Sequence, residues 1–146
     1  MERYGIAAWQ FWALLSAVFA ALTAIFAKVG VTDINPDLAT FIRTIVILVA
    51  LGGVLAATGQ LHAPGAVPLR SYVFLVLSGL GTGASWLCYF RALQVGDAAR
   101  VAPVDKLSVV LVAIFGVAFL GEKLAPRNWL GVVLIAVGVI LVAVKR

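Results

Sequence analysis

Residues 7 to 27, AAWQFWALLSAVFAALTAIFA, carry no charged side chain. A helix needs about 20 mostly apolar residues to cross the hydrocarbon core of a bilayer, and this run is long enough. Four more runs follow. The stretch 38–58 is interrupted only by Arg43, and 71–90 is uncharged. The stretch 98–120 carries Arg100, Asp105 and Lys106 in its first half, and 129–144 is again uncharged. The apolar residues are continuous rather than alternating, which is the pattern of helices and not of barrel strands. Hydrophobic side chains make up 64% of the 146 residues, against about 45–50% in soluble domains. A soluble fold of this size would leave much of that surface exposed and would aggregate. The expected fold is an all-α integral membrane protein with five transmembrane helices, at about 7–29, 37–58, 71–95, 98–120 and 128–144, in one domain spanning 1–146.

The segments between the runs read as turns. GVTDINPD supplies Gly, Asn and Pro, with Pro36 near the first turn of the second helix. GQLHAPGAVPLR is the longest loop, Gly96 and Asp97 read as a helix stop followed by an N-cap, and GEKLAPRN is a short polar turn. Pro103 lies in the first turns of the fourth span, where it either kinks a longer helix or starts a shorter one. The first apolar run is too long for a signal peptide and is followed by Lys28 rather than a small-residue cleavage site, so it reads as a span. No lipidation motif is present. The single cysteine, Cys88, excludes an internal disulfide, and the single histidine, His62, leaves no transition-metal cluster. Neither a metal nor a cofactor is expected. The net charge of +5 suits anionic lipid headgroups and forms no nucleic-acid patch.

Five antiparallel spans place the N-terminus on one side, A, and the loops 28–37 and 91–100 with the C-terminus on the other, B. Flanking cations are Arg3, Arg70, Lys123 and Arg127 on side A, against Lys28, Arg91, Arg100, Lys145 and Arg146 on side B. Orientation normally follows a Lys/Arg excess on the cytoplasmic side, and four against five is almost no bias. Either the orientation is set by something else, or the chain inserts both ways and pairs antiparallel.

The charges inside the spans are more informative. Arg43 lies seven residues beyond Pro36, on the order of 10 Å into its helix. Asp105 and Lys106 enter the fourth helix from the same side, and Lys28, Tyr89 and Arg91 sit at the side-B ends of their helices. Charge in lipid costs a few kcal/mol or more, so such groups face an interior or a wet cavity and mark pathways. Lys106 is about 100° around the axis from Asp105 and does not face it in an α-helix. Asp105 is therefore expected to pair across helices, best with Arg43, with Lys28 and Arg91 as alternatives. Lys106 is long enough to snorkel to the interface. One reading has Asp105, Arg43 and Lys106 lining a half-membrane cavity walled by Tyr89 and Trp86. The other has an Arg–Asp structural pin beside a snorkelling lysine. A pocket with more bases than acids around it favours an anionic or zwitterionic solute.

Gly79 and Gly83, in SGLGTGA, have the small-xxx-small spacing that permits close helix approach. Gly131 and Gly138 are two turns apart on the charge-free fifth helix, which suits helix packing or a subunit contact. Catalytic constellations are missing: no serine–histidine–acid set, no carboxylate pair, and Glu122 placed in a turn. An enzyme is not expected.

The segment YFRALQVGDAARVAPVDKLSVVLVAIFGVAFLGEKLAPRNWLGVVLIAVGVILV resembles the C-terminal three-fifths of an EamA domain of the drug/metabolite transporter superfamily. The resemblance lies in Tyr89 with RAL, the Pro103 region, the GEKL turn with Glu122 and the glycine-rich last helix. ALTAIFAKVG and ATFIRT resemble the start of the same domain, so nearly the whole chain is covered. The common architecture of that family implies that this chain is half of an inverted-repeat ten-helix transporter, completed by a homodimer, possible in antiparallel form. The four-helix small multidrug resistance relatives pair in that way and have a seven-residue glycine spacing that Gly131 and Gly138 resemble. Their embedded first-helix glutamate has no counterpart in the uncharged run 7–27, which leaves Asp105 to supply any proton or carboxylate site. The resemblance thus implies a multi-pass protein of the cell (inner) membrane that acts as a homodimeric secondary transporter of a small polar metabolite, and the charges inside the spans place the expected site at Arg43, Trp86, Tyr89, Asp105 and Lys106. The competing reading is a non-transporting membrane subunit that assembles with another membrane protein.

Overall fold

The computed structural model describes residues 8–60 and 67–144, and no strand occurs among them. Arg3, His62, Lys145 and Arg146 lie outside the described residues. Six helices follow in chain order: α1 Ala8–Gly30, α2 Pro36–Ala57, α3 Leu69–Val95, α4 Ala98–Asp105, α5 Ser108–Leu120 and α6 Pro126–Ala143. Five segments are long and apolar enough to cross a membrane, with α4 and α5 together making the single 23-residue span Ala98–Leu120.

Local chemistry sets the helix ends. Asn35 caps α2, its Oδ1 accepting from the amides of Asp37 (2.8 Å) and Leu38 (3.2 Å). Pro36 takes the first helical position, where no amide partner is needed. At the other end Gly59 adopts φ 67°, a left-handed conformation that glycine reaches without Cβ strain. The Gln60 amide then bonds the Leu55 carbonyl at 3.0 Å and the Gly59 amide bonds Ala56 at 3.3 Å, closing the helix in a Schellman turn. Asp97 precedes α4 in extended conformation and its carbonyl accepts the amides of Arg100 and Val101, both at 2.9 Å. Gly121, at φ 69°, turns the chain out of α5. The Glu122 amide then bonds the Gly116 carbonyl at 3.1 Å. The Glu122 carboxylate folds back so closely that a Cβ at Gly116 would lie 2.6 Å from Oε2.

The fourth span is one apolar segment with a tightened turn inside it. Pro103 sits within α4, not at its start. Beyond it the Leu107 amide bonds Val104 and the Val109 amide bonds Lys106, each three residues back at 3.0 Å, and Lys106 has ψ −3°. These are 3₁₀ bonds, a feature that within a helix often marks a hinge. The chain does not reverse, so both halves belong to the same crossing.

Residues 26–94 form one compact unit, and α1 up to Ile25 with the chain from Val95 onward forms another. In the 26–94 unit Val31 and Leu93 are fully buried, alongside Ala27, Ala39, Thr40 and Phe90. Among the covered positions of α2, Ala39, Thr40, Arg43 and Ile47 repeat at helical spacing and share a face. Trp86, Tyr89, Phe90 and Leu93 do the same on α3. The alanines allow close backbone approach, and the Thr40 hydroxyl is satisfied by donating to the Pro36 carbonyl at 2.9 Å. In the other unit α6 packs against both α4 and α5, with Gly116 and Val139 buried. Most large apolar side chains point outward, including Phe119, Leu134 and Leu141. That is a lipid-facing surface rather than a soluble one.

Candidate functional site

In the 26–94 unit, the helical face of α2 that carries Ala39 and Thr40 also presents Arg43. Its guanidinium carbon lies 4.0 Å above the centroid of the Trp86 ring and 5.5 Å from that of Phe90. Trp86 and Phe90 are four residues apart on α3, so both rings meet the same cation. This is cation–π geometry, with the ring face holding the positive charge. Tyr89 packs edge-on against Phe90, with centroids 6.4 Å apart, and is within electrostatic reach of Arg43. The carboxylates of this unit do not pair with Arg43. Asp37 is taken by Arg91, in a two-pronged contact from Nε to Oδ1 at 3.1 Å and from Nη2 to Oδ2 at 2.8 Å.

Two further side chains tie the ends of α1, α2 and α3 together around that Asp37–Arg91 pair. Lys28 donates from Nζ to the Leu93 carbonyl at 2.6 Å, a terminal carbonyl of α3 where positive charge is favoured by the helix dipole. Gln94 donates from Nε2 to the Ile34 carbonyl at 3.3 Å. The apolar segments of this unit therefore end in a polar belt, with Arg43 set deeper than the rest.

In the other unit Asp105 is met by its own neighbour: Lys106 Nζ lies 3.1 Å from Oδ2. This corrects the expectation that Lys106 does not face Asp105 and snorkels away from it. The 100° argument assumed regular α-helix. The backbone at 105–107 is tightened, and the lysine stem is long enough to curl back. Arg100 makes a longer contact with Asp97, at 3.9 Å.

The structure thus brings Arg43, Trp86 and Tyr89 together, and brings Asp105 and Lys106 to each other. Added Cβ atoms at Gly79, Gly83, Gly131 or Gly138 would meet nothing within 4 Å among the described residues. Phe90, Asp37 and the Lys28–Leu93 bond are additions. Phe90 was legible as the residue four beyond Trp86, whereas Asp37 was read only as part of a helix start. No group of three His, Cys, Asp or Glu side chains occurs among the described residues to hold a metal.

Five apolar spans, with a cation held on aromatic rings partway along one of them, define a multi-pass membrane protein, and the comparisons give its class as membrane transporter. The chain belongs to the EamA-like transporter family, whose model matches residues 7–144. It is also similar to a Sinorhizobium protein called an uncharacterized transporter in the cobO 3′ region, 68% identical over 136 residues that cover 93% of this chain and 96% of that one. No solved structure matches.

Proposed function

We propose that this chain is a secondary transporter that moves a small polar metabolite across the cell (inner) membrane as a homodimer. The observation that carries the reading is Arg43. A charged group partway into an apolar span is costly, yet here it rests on Trp86 and Phe90 rather than on a carboxylate. A purely structural role would be served by an ion pair, as Asp37 and Arg91 show in the same unit. Transporters place substrate groups at the interface between two repeats. One five-helix domain supplies one repeat, and a second copy supplies the other. The glycines of α6 and α3, which have open space at an added Cβ among the described residues, are the proposed contact surface. Asp105 and Lys106, beside the tightened turn of the fourth span, are proposed to take part in the moving step.

The test is flux. The purified protein is reconstituted in vesicles loaded with a metabolite extract, and efflux is followed by mass spectrometry against protein-free vesicles. Asp105→Asn should assemble normally and lose flux. No solute-specific efflux from well-folded protein would overturn the reading. Loss of folded protein in Asp105→Asn, with efflux absent, would point to the non-transporting subunit instead.

A further inference from the structure

We infer that the Arg43 guanidinium anchors an anionic oxygen group, a carboxylate or phosphate, with Trp86 as its backing. The inference rests on the transport reading and names its substrate class. Stacking uses only the face of a guanidinium. Its five N–H donors lie in the plane and around the edge, and none of Arg43's forms a hydrogen bond with a described residue. The neighbouring cations differ. Arg91 is spent on Asp37, Lys28 donates to the Leu93 carbonyl, and in the other unit Lys106 is spent on Asp105. Toward the polar end of the 26–94 unit the sequence places three cations, Lys28, Arg43 and Arg91, and two acids, Asp33 and Asp37, one positive charge in excess. Arg43 is the deepest of the three, where water alone compensates charge poorly.

A planar cation held flat, with its donor edge unspent, matches the two oxygens of a carboxylate or phosphate. A cationic solute would be repelled by it. The shared chemistry has two sources, a solute or an anionic lipid headgroup, and both require the same Arg43 edge.

The experiment uses the full chain with Trp9, Trp12 and Trp129 changed to Phe, so that fluorescence reports Trp86 alone. The protein is reconstituted in phosphatidylcholine vesicles and titrated with inorganic phosphate, succinate and glutamate, with choline and glycerol as controls. A solute site predicts a saturable change in Trp86 emission with at least one anion and none with the controls. The response should weaken by about tenfold in Arg43→Lys, which keeps the charge but not the planar fork, and vanish in Arg43→Gln. A headgroup site predicts instead that phosphatidylglycerol in the vesicles shifts Trp86 emission without solute, again through Arg43. A response to neither source, or one unchanged in Arg43→Gln, overturns the inference. Arg43→Lys keeps the test meaningful where Arg43→Gln does not fold. Flux that survives Arg43→Gln also overturns the anchor while leaving transport standing. Anion binding without flux of any solute retains the anchor and overturns transport.

Discussion

At the level of single residues, Trp86 is the side chain whose role separates most cleanly into packing and electrostatics. A partly desolvated cation–π contact is worth about 1–2 kcal/mol. Trp86→Leu should destabilise the protein in a detergent denaturation series by at least that much, because packing is lost as well. Trp86→Phe, which keeps a ring face, should cost less than half as much. Equal losses would show that the ring quadrupole contributes nothing at 4.0 Å from Arg43. The Asp37–Arg91 pair makes a second, independent prediction. Asp37→Arg or Arg91→Asp alone sets like charges against each other at the ends of α2 and α3. The double exchange should recover a large part of the lost stability, and a double variant no better than the worse single one would sink the idea that this contact ties the helices. Arg43, Trp86 and Tyr89 were legible in the sequence because charge in an apolar span is rare and a helix repeat brings the two aromatic residues to one face. The partner of Asp105 was not. Its identity depended on a local departure from α-helical geometry, which depth and spacing do not reveal.

The helix as a unit shows why that departure occurs where sequence rules are weakest. Pro103 lacks an amide and crowds the carbonyl four residues before it, so its direct effect falls at Ala99, upstream. The tightened bonds lie downstream, at 104–110, among Asp105 and Ser108, whose side chains compete for backbone groups. Proline gave notice of an irregular span but not of its position. Replacing it tests whether the irregularity is used. Pro103→Ala restores an amide facing the Ala99 carbonyl and should stabilise the helix, by up to about 3 kcal/mol on propensity scales. If the turn is a hinge for transport, the same variant should slow flux, a gain in stability at the expense of activity. Stabilised protein with unchanged flux would remove the hinge from the mechanism. Gly121 offers the converse case. Its φ of 69° is one that alanine reaches only at a cost of about 1–2 kcal/mol, so Gly121→Ala should lower thermal stability in detergent. The same change at Gly131, which is helical and has open space at its Cβ, should leave the stability of the separated chain unchanged or slightly higher.

For the whole molecule, the number of crossings was readable directly, since continuous apolar runs of about 20 residues have few other uses. How copies assemble was not, because nothing in one chain's hydropathy specifies a partner. The charge balance supplies the sharpest handle on assembly. Five spans place the loop holding Asp33 and the loop holding Lys123 on opposite faces of the membrane, and the flanking Lys and Arg residues number four on one side and five on the other. With so little bias, we propose that the chain inserts in both directions and that the two orientations together rebuild an inverted pair of repeats. The measurement is two-sided labelling. Cys88, which is exposed, is changed to Ser, and a single cysteine is placed at Asp33 or at Lys123. Intact cells are then treated with a membrane-impermeant maleimide before and after permeabilisation. Dual insertion predicts that about half of the copies label from outside at each position, the two fractions summing to the whole. Adding two lysines beside Asp33 should then drive the population to one orientation and abolish flux. Co-expression with a copy biased the other way, by two lysines beside Lys123, should restore it. If instead one loop labels completely and the other not at all, the copies share one orientation. The inverted homodimer is then excluded, and a transport-competent assembly would need either a parallel pair or a second, different chain.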